Sequence, residues 1–236
     1  MQLFYNPSIS EDTKEFTFDR EESKHIIKVL RKKDGDILFV TNGLGFIFEC
    51  SIVLAIETKC TVDIISWKKS ERPNAYLHLA VAPTKMNDRF EWFLEKATEI
   101  GVSEITPIIC EHSERKFIKN ERFEKIIIAA MKQSNQYYLP KLNEPVLFKD
   151  FMKKRFSGQL LIAHCEETER KLLKDVLQPR TDVTMLIGPE GDFSNKEIEL
   201  AIEKKFIPVS LGNTRLRTET AAIVACHSVV FVNENL

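Results

Sequence analysis

What this 236-residue sequence lacks narrows its class. With 43% hydrophobic and 29% charged residues it has no bias toward a disordered or fibrous chain. Its five cysteines (Cys50, Cys60, Cys110, Cys165, Cys226) are odd in number, scattered, and without a CxxC pair. Four of them sit inside or at the end of apolar runs, which predicts buried free thiols in a reducing compartment. The five histidines show no metal-ligand spacing and no HExxH occurs, so no metal is expected. No apolar run approaches the roughly 20 residues that span a bilayer. The opening MQLFYNPSISEDTKEF has no basic region followed by an apolar stretch, so no signal peptide is read there. These absences predict a soluble, cytoplasmic protein with no membrane partner. A surplus of one charge is missing as well: the net charge is −1, so any nucleic acid must be met by local patches. There is no GxxxxGKS or GxxxxGKT, no GxGxxG after the first α/β strand, and no GxSxG, which disfavours ATP chemistry, ordinary dinucleotide binding and nucleophilic hydrolysis.

What is present falls into two textures, in a length that suits one large domain or two ordinary ones. Residues 2–6 and 15–19 are short aromatic-rich runs that read as strands, with a short helix between Glu21 and Arg31 carrying Ile26, Ile27 and Leu30. Asp36–Asn42, Gly45–Ile56 and Cys60–Trp67 are β-branched and aromatic runs set off by Asp34-Gly35 and Asn42-Gly43 turn signals. Several strands with one helix predict a small β-barrel. Lys68–Asn74 is polar, contains a proline, and is the expected boundary.

Beyond it, strands alternate with helices, which argues for a mostly parallel α/β sheet. Strands are expected at Tyr76–Ala82, Ile105–Cys110 and Gln159–His164. Helices are expected at Asn87–Ile100, Glu121–Tyr138, Phe148–Phe156 and Thr168–Leu177. The final Thr220–Val232 is apolar on nearly every face, as a helix is when it is buried all round or covered by a partner subunit.

The stretch from Leu186 to Ala222 organises the rest. An apolar strand stops abruptly at Gly188-Pro189-Glu190-Gly191, where two glycines in four residues suggest a sharp turn or a close approach to a bound molecule. Ser194 with Glu197 is a capping-box signature for the helix that follows. A second strand, Pro208 to Leu211, ends in Gly212 and opens into a loop through Arg215 and Arg217 before a helix starts near Thr218. Either glycine loop alone is as well explained by an ordinary αβ turn. Two in one unit, carrying Glu190, Arg215, Arg217 and Glu219, favour a site, because ligands collect beyond the carboxyl ends of parallel strands.

Other features divide less cleanly. Basic clusters occur at Lys28, Arg31, Lys32 and Lys33, at Arg115, Lys116, Lys119 and Arg122, and at Lys149, Lys153, Lys154 and Arg155. Each suits a solvated surface, and the first is the one favoured as a binding patch. His164, at a strand end, suits either the crevice or a bond to a backbone carbonyl, and the second role is favoured. Gln133 and Asn135 suit substrate contact or helix surface equally.

GPEGDFS followed by LGNTRLRTETA resembles the paired motifs of the ribosomal RNA small-subunit methyltransferase E family, within the SPOUT (trefoil-knot) methyltransferases. HIIKVLR at 25–31 with Gly35, Asp36, Gly43 and Gly45 resembles the family's PUA-like, RNA-binding barrel. KMNDRFEWFLEKATEIGV and Gln133-Ser134 with Pro140 resemble its other motifs, so the likeness covers nearly the whole chain. Asp192 departs from the family pattern where a third glycine is usual, His112 where arginine precedes Ser113, and Gln136 where arginine is common.

The resemblance implies an α/β fold: a PUA-like β-barrel over residues 1–70 and a knotted SPOUT methyltransferase domain over 74–236. It implies transfer of a methyl group from S-adenosyl-L-methionine to N3 of a uridine in 16S ribosomal RNA of the small subunit, by a homodimer with the cofactor near its interface. The cofactor set it implies is Leu186, Gly188, Glu190, Gly191, Leu211, Gly212, Leu216 and Thr220. Arg217 and Glu219 are the catalytic candidates, and Lys28, Arg31, Lys85, Arg89 and Gln133 the RNA-binding ones. The alternative from another class is an RNA-binding assembly factor of this fold without catalysis.

Overall fold

The computed structural model describes residues 2–116, 118, 120–166 and 169–234. It divides into two compact units, Met1–Arg72 with Met131–Leu139, and Pro73–Ala130 with Pro140–Leu236.

The first unit is built on a five-stranded sheet in the order β1-β3-β4-β5-β2. Its strands are β1 (Leu3–Tyr5), β2 (Glu15–Thr17), β3 (Ile37–Thr41), β4 (Phe46–Ile56) and β5 (Lys59–Lys69). All neighbours are antiparallel except β1 and β3. Alternation sends Phe48, Cys50 and Ile52 of β4 and Cys60 and Val62 of β5 into one core with Phe4, Phe18 and Ile26. Helix α1 (Arg20–Lys24) is capped by Asp19, whose carboxylate accepts from the Glu22 amide at 2.8 Å. It runs into a π-helical turn, His25–Val29, that the sequence does not announce. Arg31 follows with φ 56°, a left-handed conformation that is uncommon for arginine.

Part of this unit, Met131–Leu139, comes from far along the chain. Helix α3 (Asn120–Gln133) stops short of the expected end at Tyr138, and Asn135 turns the chain at φ 55°. The segment that follows is stitched to the sheet: the Gly45 amide donates to the Tyr137 carbonyl at 2.8 Å, and the Leu139 amide to the Gly43 carbonyl at 2.9 Å. The Tyr138 hydroxyl reaches the Ser70 carbonyl at 3.0 Å. A Cβ on Gly45 would lie 2.2 Å from the Tyr138 ring, so only glycine lets this segment close on the sheet. The expected helix Glu121–Tyr138 is therefore too long; its last residues are held by strand edges instead.

The second unit is an all-parallel sheet in the order β11-β13-β10-β12-β6-β7-β8, with β9 also paired to β7. The long strands are β6 (Leu77–Val81), β7 (Glu104–Ile109), β10 (Gln159–Ala163), β12 (Val183–Ile187) and β13 (Ile207–Ser210). The short ones are β8 (Lys141–Leu142), β9 (Val146–Leu147) and β11 (Lys171–Leu172). Helix α2 (Asn87–Ile100) buries Phe90, Phe93, Leu94 and Ala97 and ends at Gly101, φ 115°. Helix α6 (Asn195–Glu203) begins with the complete Ser194–Glu197 capping box. Helix α7 (Thr218–Asn233) packs against α2, β6 and β12. It buries Ala222, Ala225, Cys226 and Val229 while Phe231 stays 65% exposed, so it is not enclosed on every side within one chain.

Two expected helices shrink. Phe148–Phe156 is helical only as α4 (Phe148–Phe151), and Leu173–Val176 (α5) is one turn that follows strand residues. Thr168, the expected helix start there, lies outside the described residues, as does Lys119. Lys171 and Leu172 pair with β13 instead of coiling, because an edge strand was available to them. Cys50, Cys60, Cys110 and Cys226 are buried free thiols and Cys165 is exposed.

At the amino end of this sheet His78 is packed edge-on to Phe151 and bonded to the Thr106 hydroxyl at 2.7 Å. Burial lowers its pKa to about 4, against the opposing pull of Glu104. The unfolded chain takes up a proton below about 6.5 and the folded one does not until about 4. Stability is thus unaffected above that window and falls inside it, by about 1.4 kcal/mol per pH unit and on the order of 3 kcal/mol in all. Urea unfolding at stepped pH should show this loss, and His78→Gln should flatten the difference between pH 6.5 and 4.

Candidate active site

Three parallel strands of the second unit end side by side. Ala163 of β10 is level with Ile187 of β12 and with Val209 of β13. Their chains leave on one edge and wall a cleft of about 410 Å³, within the range of small-molecule sites. Residues 163–165, 187–190 and 209–212 form its strand-end walls; Arg170, Asp192, 214–218 and Ala221 complete it. The Thr218 hydroxyl donates to the Gly188 carbonyl at 3.1 Å, tying the start of α7 to the first glycine loop.

Of the residues expected to hold a cofactor, Gly188, Glu190, Leu211, Gly212 and Leu216 line this cleft together with Arg217. Leu186 does not: its side chain lies in the core with Phe193, Ile198 and Phe206. Gly191 faces elsewhere, where a Cβ would come 3.0 Å from that of His112. Thr220 is half-buried on α7 and off the wall. The two glycines on the wall differ. A Cβ on Gly188 would meet the buried Phe193 ring at 3.0 Å, so valine there disturbs the core as well as the cleft. Gly212, with φ 145°, has nothing within 4 Å of its would-be Cβ. A side chain added there costs backbone strain and projects into open space.

The expected charges are arranged in pairs. Glu219 is buried and lies 3.8 Å from Arg89, with its Oε2 left without a hydrogen-bond partner. The Lys85 amide donates to Glu190 at 2.9 Å, while the Lys85 ammonium is paired with Glu114 at 2.7 Å. Lys85 and Arg89 therefore stand next to Glu190 and Glu219 instead of apart from them. Lys28, Arg31 and Gln133 belong to the first unit, where all three are exposed.

Two residues gain roles that the sequence did not favour. His164 lines the cleft, 4% exposed, with neither ring nitrogen hydrogen-bonded. The favoured bond to a backbone carbonyl is absent among the described residues; instead its own carbonyl accepts from Arg170 at 2.5 Å. Asp192, where a glycine was expected, adopts φ 62°, which aspartate tolerates better than most side chains. Its Oδ2 accepts from the Cys165 amide at 2.6 Å and its Oδ1 from the Phe193 amide at 2.8 Å. On the other side, His112 Nδ1 donates to the Gly191 and Asp192 carbonyls at 3.0 and 3.1 Å. The loops after β7, β10 and β12 are thus joined through residues 191 and 192.

With this geometry in view, comparison with known proteins places the chain. Residues 70–230 match the family model of an RNA methyltransferase domain and residues 18–65 that of an RNA methyltransferase PUA domain. The class is therefore an RNA methyltransferase with a PUA domain at its N-terminal side and a SPOUT-type α/β domain after it. The chain is 34% identical over 226 residues to the ribosomal RNA small subunit methyltransferase E of Buchnera aphidicola (subsp. Acyrthosiphon pisum), covering 91% of this chain and 87% of that one. A probable rRNA-methyltransferase from Porphyromonas gingivalis superposes with a TM-score of 0.92 at 40% identity, over 99% of this chain and 98% of that one. A protein of Legionella pneumophila assigned as a methyltransferase, solved with its cofactor SAM bound, superposes with a TM-score of 0.85 at 34% identity, over 97% and 96%. The chain belongs to the ribosomal RNA small subunit methyltransferase E family.

The Asp192 links are measurable. Charge-assisted bonds of this kind contribute roughly 1.5–3 kcal/mol each where buried. At this half-buried position the bonds are worth less, so Asp192→Ala, which loses both and keeps a positive φ that alanine tolerates less well, should lower stability by about 2–3 kcal/mol in all. Asp192→Gly should cost less because glycine accepts that φ. Hydrogen exchange at the Cys165 amide should quicken in both, and thermal melting should rank wild type above glycine above alanine.

Proposed function

We propose that this protein methylates N3 of a uridine in 16S ribosomal RNA of the small subunit, with S-adenosyl-L-methionine as methyl donor, in the cytoplasm and as a homodimer. The observation that carries the reading is the glycine-walled cleft at the carboxyl ends of β10, β12 and β13, in a chain of this family. Its volume, the open side of Gly212 and the unpartnered polar ring of His164 all suit a nucleoside-sized ligand. When bound, S-adenosyl-L-methionine supplies an activated methyl group on a sulfonium.

The chain's own residues supply position and charge. Gly188, Glu190, Leu211, Gly212 and Leu216 are the assigned cofactor wall, with Leu186, Gly191 and Thr220 supporting it from behind. N3 of uridine carries a proton between two carbonyls, so its loss spreads negative charge onto O2 and O4. Arg217 on the wall is assigned to stabilise that anion, which favours the transition state over the neutral base. Glu219 is assigned to hold Arg89, and Lys85 and Arg89 to meet RNA phosphates. In the first unit Lys28, Arg31 and Gln133 are assigned to RNA docking. Because N3 is used in Watson–Crick pairing, the target base must be unpaired or extruded. The half-covered apolar α7 supports the dimer, and light scattering at micromolar concentration should return twice the monomer mass.

Deleting the gene should leave one uridine of 16S ribosomal RNA without its N3 methyl group, and purified protein with cofactor should restore it. Nucleoside mass spectrometry decides this; 3-methyluridine that persists after deletion and is restored nowhere would overturn the assignment. Gly212→Val should abolish cofactor binding in a folded protein, seen by calorimetry. Arg217→Ala should keep cofactor affinity and lose turnover by roughly a hundredfold or more. Arg31→Ala should weaken RNA binding and lower the salt slope by about one. Retained RNA binding with no turnover in the wild type would favour the assembly-factor reading.

A further inference from the structure

The imidazole of His164 is a feature of the cleft that the fold leaves unexplained. It is 4% exposed and neither Nδ1 nor Nε2 has a hydrogen-bond partner. A buried polar group in that state costs about as much as a lost hydrogen bond, so such groups persist where something else completes them. The nearby charged groups bond elsewhere and leave the ring without a partner. Asp192 spends one carboxylate oxygen on the Cys165 amide and the other on the Phe193 amide. Arg170 donates to the carbonyl of His164 itself. The ring stands one residue beyond Ala163, on the central strand of the three, and it lines the cleft.

We propose that His164 is a cofactor-contacting residue, its ring hydrogen-bonded to an uncharged donor–acceptor group on the adenosine half of the bound cofactor. This rests on the cofactor reading of the cleft given above. The choice of half follows from charge. Burial holds His164 below the ordinary imidazole value; Asp192 and Glu166 pull it upward and Arg170 pushes it down. A neutral ring offers one donor and one acceptor. That matches a ribose hydroxyl or an adenine nitrogen, whereas the carboxylate and ammonium of the amino-acid end match the charged side chains of the wall. A neutral ring also avoids repelling the sulfonium.

The test uses calorimetry with two ligands on the full-length protein. S-adenosylhomocysteine has both halves; 5′-methylthioadenosine keeps the adenosine half and lacks the charged end. His164→Phe should weaken both by the same factor, roughly tenfold to a hundredfold. His164→Asn, which keeps a neutral donor and acceptor, should recover most of the loss. In the wild type, a ring N–H of His164 should become protected and shifted in nitrogen-edited NMR when S-adenosylhomocysteine is added. Unchanged affinity in a folded His164→Phe, a loss confined to S-adenosylhomocysteine, or a ring signal indifferent to ligand would each overturn the inference and leave the cofactor site standing. A wild type that binds neither ligand overturns the cofactor reading itself. Should His164→Phe fail to fold, the asparagine variant and the wild-type ring signal still decide.

Discussion

The hydrogen bonding of β10 to β12 on one side and β13 on the other is the constraint from which the site follows. Parallel pairing makes all three chains leave the sheet at the same edge, and the register sets Ala163, Ile187 and Val209 at one level. A one-residue slip would turn every side chain to the opposite face, and the buried cores on both faces forbid it. The next residues, His164, Gly188 and Ser210, therefore emerge together as a wall. The bond from Thr218 to the Gly188 carbonyl then fixes where α7 begins, and with it Arg217. The cleft is less a cavity carved among loops than the necessary edge of this sheet.

The two departures from the family pattern at this edge act on the same loop. Aspartate at 192 brings a carboxylate that glycine lacks, and that carboxylate holds the amide of Cys165 across from it. Histidine at 112 donates to the carbonyls of 191 and 192, and Gly191 leaves room for it to approach. Each bond alone would restrain one side of the turn. Together they fix its backbone from two neighbouring loops, which offsets the cost of a non-glycine residue at positive φ. Preorganised loops of this kind lose less entropy when a ligand orders them.

Much of this was legible because local signals and global fold agree. The capping box at Ser194, the apolar spacing of α2 and the glycines after β12 and β13 all name their elements. What escaped was set by distant partners. Lys171 and Leu172 become a strand only because β13 offers an edge, and 134–139 leave the helical pattern only because Gly43 and Gly45 offer backbone bonds. At the site, Gly188, Gly212 and Arg217 could be read from the motifs. The inward side chain of Leu186 and the open ring of His164 could not, since strand-end residues show their direction only once the register is known. The trefoil knot that the family resemblance implies is beyond any local signal, because connectivity of that kind is rare and leaves no residue pattern.

The arginines of the cleft show why a list of cations is not yet a mechanism. Arg170, Arg215 and Arg217 all lie on its wall. Arg170 is engaged with the carbonyl of His164. Arg215 is carried by the exposed loop between β13 and α7. Arg217 differs in its anchorage: it is the N-cap of α7, and its carbonyl accepts the Ala221 amide at 2.8 Å. Its backbone is thus fixed to the longest helix of the second unit, beside the loop that Thr218 ties to Gly188. Electrostatic catalysis depends on charge already in place when the anion develops, since a cation that must first be ordered consumes the energy it would contribute. Of the three, Arg217 is the one whose backbone opens a long helix at the cleft, and that anchorage is what recommends it for the proposed role.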